Sequence, residues 1–145
     1  MTVHIIKLCV GVDTVEELAK WQKQRLAALR QTSRTARLRH VTRMMPKRVE
    51  DVLDGGSLYW VIKGYVRVRQ RIIGLKPVTN SQGEAACAIE LDRKLVKTRL
   101  VPWRPFQGWR YLDPAEAPPD RPALAPGDDE LPPKLAAELR ELGLL

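Results

Sequence analysis

Residues 57–78, "SLYWVIKGYVRVRQRIIGLKPV", constrain the fold more than any other part of the chain. They are rich in β-branched and aromatic residues and read as strand almost throughout. Gly64 divides them and marks a bulge or a tight turn. Strands joined this closely are antiparallel neighbours. The segment therefore commits the chain to a sheet with antiparallel character.

Other strands gather around it. "VHIIKLCVGV" at 3–12 is apolar almost throughout, which predicts a central strand covered on both faces. "LRHVTRM", "EAACAIEL" and "KLVKTRLV" read as further strands, the last of them the final clear one. A helix is predicted from "DTVEEL" to about Gln31, with Thr14 and Glu17 in a capping-box pattern. Val15, Leu18, Ala19, Gln22, Leu26 and Leu29 fall on its inner face, with Lys20, Lys23 and Arg30 opposite. "PKRVEDVLDGG" predicts a short second helix, started by Pro46 and stopped by Gly55. Consecutive strands with two or three helices argue for an α+β fold, and bends at glycine suit a small, partly open barrel.

A chain of 145 residues is one domain's worth, but its charge is uneven. Residues 1–112 carry 22 Lys and Arg against 9 Asp and Glu, a net +13; residues 113–145 carry 3 against 8, a net −5. The expected organisation is a basic body over 1–112, an acidic proline-rich connector over 113–133, and a short helix over 134–145 with Leu135, Leu139 and Leu142 on one side. A basic body points to an anionic partner, which the acidic tail could oppose. The N-terminus lacks a basic leader and a cleavage site, and no apolar run is long enough to span a bilayer, so the expected location is cytoplasmic, without membrane contact. Cys9 and Cys87 read as reduced core thiols, and His4 and His40 stand at no metal-ligand spacing.

Two constellations could carry function. In "YVRVRQRII" strand alternation puts Val66, Val68, Gln70 and Ile72 on one face and Arg67, Arg69 and Arg71 on the other, the arginines about 6.5–7 Å apart. Such a row suits phosphate oxygens, or else balances Glu84 and Glu90 on a neighbouring strand. "VPWRPFQGWRYL" then holds half of the eight aromatic residues. There Trp103 and Phe106 read as core. Trp109 and Tyr111 share a strand face with Arg110 opposite, and Arg104 lies nearby. Trp60 and Lys63 could meet these across the sheet. Aromatic rings among arginines are stacking platforms for bases. No nucleophile elbow, phosphate-cradling glycine loop or zinc-protease motif is present, and no cofactor is implied.

At "LRHVTRMMPKRVEDVLDGGSLYWVIKG", "RVRQRI", "RPFQGWRYL" and "LPPKLAAELRELGLL" the chain resembles a small bacterial family, the domain of unknown function 1489. That resemblance covers nearly the whole chain and brings no function with it. "SLYWVIKG", the strand into "IIGLKPV" and the late "FQGWRYL" also resemble the PUA-like superfamily of ASCH, EVE and YTH domains. This second resemblance implies a PUA-like pseudo-barrel and binding of RNA or modified bases, and assigns no individual residue.

The expectation is a non-catalytic domain that binds RNA or single-stranded nucleic acid through Arg67, Arg69, Arg71, Trp60, Lys63, Arg104, Trp109, Arg110 and Tyr111. The competing readings are an adaptor meeting an acidic protein and a small hydrolase or nucleotide-processing enzyme. Nothing in the sequence specifies an oligomeric state.

Overall fold

The computed structural model describes residues 1–121. In chain order these form β1 (His4–Leu8), α1 (Val15–Thr32), β2 (Leu38–Thr42), α2 (Val49–Leu53), β3 (Ser57–Ile62), β4 (Tyr65–Thr79), β5 (Ala85–Leu91), β6 (Val96–Pro102) and β7 (Trp109–Leu112). The fold is α+β. The strand order is β2-β5-β4-β3-β1-β7, with β6 also paired to β4. β1 and β3 run parallel, joined by a crossover that contains α1, β2 and α2; the other pairs are antiparallel.

The sheet is open, which corrects the expected barrel. No ladder joins its ends, β2 and β7. After β2 the chain passes through Pro46, which has no N–H to offer a ladder. Isolated bonds replace one: Trp109 Nε1 donates to the Met44 carbonyl (2.8 Å), and the Tyr111 hydroxyl accepts from the Lys47 and Arg48 amides (2.9 and 3.1 Å).

Local signals place the helices. The Thr14 hydroxyl accepts from the Glu17 amide (3.1 Å), and the Glu17 carboxylate reaches back to the Asp13 amide (3.4 Å). Leu18, Gln22 and Leu26 then face the sheet. β1 lies between β3 and β7, as its apolar run predicts, and both of its faces are covered. Ile5 packs with Leu18, Leu58, Trp60 and Ile89 beneath α1. Ile6 packs with Tyr59, Val61 and Leu112 on the opposite face, under Trp103, Phe106 and Ala117.

β3 and β4 form a hairpin through Lys63 (φ 47°) and Gly64 (φ 80°). Positive φ at both turn residues is the arrangement that matches strand twist, and it resolves Gly64 as a turn. Beyond the turn, Val61 pairs with Val66 but Trp60 pairs with Val68, so Arg67 has no opposite residue. This bulge shifts the alternation. Val66 joins the second cluster while Val68 joins the first, so the expected single row of Val66, Val68, Gln70 and Ile72 is broken.

The chain also does not leave the body at Leu112. Arg99 donates its amide to the Pro119 carbonyl, Arg121 donates to Lys97, and Thr98 bridges to Asp120. The remainder of the expected connector and the expected helix at 134–145 lie outside the described residues. Among the described residues no helix is long and apolar enough to cross a membrane.

Candidate functional site

The bulge decides what becomes of the arginines. Arg67 is buried, and its guanidinium turns back to the Ile62 and Lys63 carbonyls, where it braces the hairpin turn. Burial lowers its pKa. Arg69 makes a two-pronged ion pair with Asp120 (2.6 and 2.7 Å) and donates to the Ser57 hydroxyl (3.0 Å). Arg71 is exposed, with no ionic partner among the described residues. An exposed row of three arginines is therefore not formed. Glu84 and Glu90 pair instead with Arg43 and Arg37.

The aromatic expectations divide in the same way. Trp60 is 3% exposed and cannot meet a neighbouring surface aromatic across the sheet. Lys63 sits in the exposed turn beside Asp13 (3.7 Å). Trp109 packs partly against the first core cluster and edge-on to Tyr111 (4.8 Å). Arg110 lies over Phe106 (5.0 Å) on the other face, and Arg104 is exposed. The nine residues thus spread over both faces of the sheet and do not converge on one site.

The Arg69–Asp120 pair lends itself to a direct test. The neighbouring guanidinium holds the Asp120 carboxyl below its ordinary value of 3.8. The stabilisation is therefore complete above pH 3.8 and fades as pH falls through the lowered value. Because the Asp120 side chain is 47% exposed, Asp120→Asn should cost only about 1 kcal/mol. Urea titrations at pH 7 and pH 3 should show the variant closer to wild type in acid; an equal deficit at both would exclude an ionic origin.

A concave site does form, beneath α1 at the end of β1. It is a pocket of about 350 Å³ whose lining includes Lys7, Cys9, Trp21, Arg39, His40 and Trp60. That volume lies at the small end of ligand sites. Trp60 is the floor. Its position is set by a buried amide network in which Gln70 accepts from Trp60 Nε1 (2.9 Å) and exchanges two hydrogen bonds with Gln22 of α1 (2.8 Å each). Gln70 also donates to the Asp92 carbonyl (3.0 Å), so all four of its hydrogen-bonding positions are used. The His40 ring stands edge-on to Trp60 (5.1 Å, 88°). Trp21 forms a wall, is 48% exposed, and carries the Arg25 guanidinium over its ring (5.2 Å).

Electrostatics distinguish this pocket. His40 Nε2 is buried and has no hydrogen-bond partner among the described residues. Burial, then the charges of Lys7 and Arg25, lower the His40 pKa to about 4, so the ring is neutral at pH 7. Burial lowers the Lys7 pKa, and it pushes the Cys9 thiol up to about 11, which leaves Cys9 protonated and a poor nucleophile. Val10 and Val41, both exposed, border the mouth together with Trp21. The arrangement can hold a flat ring between aromatic walls, offer it one neutral imidazole nitrogen, and place cations at the rim.

Of the nine residues expected from sequence to bind nucleic acid, Trp60 alone lines this pocket. Trp21, His40, Lys7 and Arg39 were missed. One signal was available: Trp21 lies off the apolar stripe of α1, and a tryptophan outside the core-facing side is unusual.

A family model described as a protein of unknown function (DUF1489) matches residues 5–145, which takes in the closing segment. Among curated proteins and among solved structures nothing matches the chain.

Proposed function

The chain belongs to the DUF1489 family, and we propose that it is a non-catalytic domain that binds RNA or single-stranded nucleic acid. On this reading one unstacked base enters the pocket between Trp21 and Trp60, and His40 Nε2 hydrogen-bonds its edge. Lys7, Arg25 and Arg39 meet phosphates at the rim. The observation that carries the reading is the unpartnered, buried His40 nitrogen in an aromatic pocket surrounded by cations. A buried polar atom without a partner costs stability, and a base edge supplies the missing bond. The net charge of +13 over residues 1–112 supports an anionic ligand of some length.

The test is fluorescence anisotropy with single-stranded RNA, single-stranded DNA and a base-free polyanion, each across a salt series. Trp21→Ala should weaken binding to the nucleic acids by roughly 1–3 kcal/mol, about 5- to 150-fold, and leave the polyanion unaffected. Because Trp21 is half-exposed, the melting temperature should hardly move. Equal affinity for all three ligands, unchanged by Trp21→Ala, would reduce the interaction to charge alone and remove the base pocket.

A further inference from the structure

A second and larger concavity runs along one flank of α1. It is a groove of about 830 Å³ between the helix and the turn that joins β5 to β6. Ala19, Leu26, Ala27, Leu38 and Leu95 give it an apolar lining. Lys23, Arg30, Arg93 and Lys94 border it, opposed by the single carboxylate of Asp92. The groove is therefore apolar along its floor and cationic along its edges; Gln22 and Leu38 line both concavities, but Trp21, His40 and Trp60 line the base pocket alone.

We propose that this groove is the docking site of the chain's own C-terminal segment, residues 131–145, independently of what the base pocket binds. Position comes first. The last described residue, Arg121, donates its amide to the carbonyl of Lys97, two residues beyond Leu95 of the groove. Lys97 in turn reaches Glu16 at the start of α1 (3.8 Å). The chain therefore arrives beside the groove, and residues 122–130 need cross no large distance to enter it.

Chemistry agrees. Residues 122–145 carry Asp128, Asp129, Glu130, Glu138 and Glu141 against Lys134 and Arg140, a net −3, facing a border with a net +3. In "PPKLAAELRELGLL", Leu135, Leu139 and Leu142 recur at the spacing of one helix side, which matches an apolar floor. Length matches too. Twelve residues at helical rise cover about 18 Å, and the lining of α1 from Ala19 to Arg30 covers roughly 17 Å. The tether makes the encounter intramolecular and keeps the effective concentration high, so modest apolar burial suffices.

The test reads groove access in the full chain and needs no nucleic acid, so its failure is separate from failure of the base pocket. Ala27→Cys places a thiol in the groove, while burial raises the pKa of the native Cys9 and Cys87 thiols and slows their reaction. Maleimide labelling of this thiol should be about tenfold slower with the natural tail than with Leu135→Asp/Leu139→Asp, which corresponds to about 1.4 kcal/mol of docking. Protection should be the same at every protein concentration, and a thiol at exposed Ser81 should label equally in both backgrounds. Equal rates at Ala27→Cys overturn the proposal. Protection lost on dilution also overturns it, because a second copy would then be the occupant. A matching rise at Ser81→Cys traces the change to the whole body and overturns a local docking.

Discussion

Gln70→Ala is expected to destabilise the fold by about 3–5 kcal/mol, more than a typical surface substitution by an order of magnitude. Gln70 is fully buried and its one side chain connects α1, β3 and the β5–β6 turn by hydrogen bonds. Its removal strands the Gln22 amide, the Trp60 indole N–H and the Asp92 carbonyl, each at about 1–3 kcal/mol where water does not replace the lost partner. Gln70→Leu restores the volume but not the partners, so it should remain severe. Gln22→Leu added to Gln70→Leu removes both amides together and should recover part of the loss, because fewer orphaned groups are left. Urea denaturation of wild type, Gln22→Leu, Gln70→Leu and the double variant measures the coupling. Small, additive effects would show that the amide pair contributes little to the core.

Trp60→Ala should cost about 3–5 kcal/mol, the range for emptying a large buried aromatic site. Trp60→Phe keeps most of the apolar contact but loses the hydrogen bond to Gln70, and should cost about 1–2 kcal/mol. The two variants also separate floor from fold. Trp60→Phe should remain folded at 25 °C, so its affinity for single-stranded RNA reports the ring that the base meets. If Trp60 were a surface stacking platform, Trp60→Ala would leave the melt unchanged and reduce binding alone. A melt shifted little by Trp60→Ala would therefore contradict its burial.

These two residues show how far sequence reasoning extends. Gln70 falls on the same strand face as Val68 and Ile72 by simple alternation, and the inner-face position of Gln22 follows from helical spacing. What neither pattern contains is that the two amides face each other, 48 residues apart, and that Gln70 also holds the Trp60 indole. The basic body was legible from charge counting, but the pocket was not. Its lining comes from β1 and the loop after it, α1, β2, β3 and β5, and Trp21 and His40 are 19 positions apart in the chain.

By itself the sequence determined what depends on neighbours in the chain. The Thr14 cap, the break at Gly64, the stop at Gly55 and the two-sided burial of β1 follow from local conformational preference and from the period of apolar residues. The tertiary structure alone decided the rest. Strand alternation predicts a row of arginines only if the register is unbroken, and the unpaired Arg67 breaks it. Asp120, 51 residues away, then takes Arg69, and the open edges of the sheet meet through isolated side-chain bonds. Register and long-range pairing depend on which distant segments compete for the same surface, and that competition is settled only when the whole chain packs.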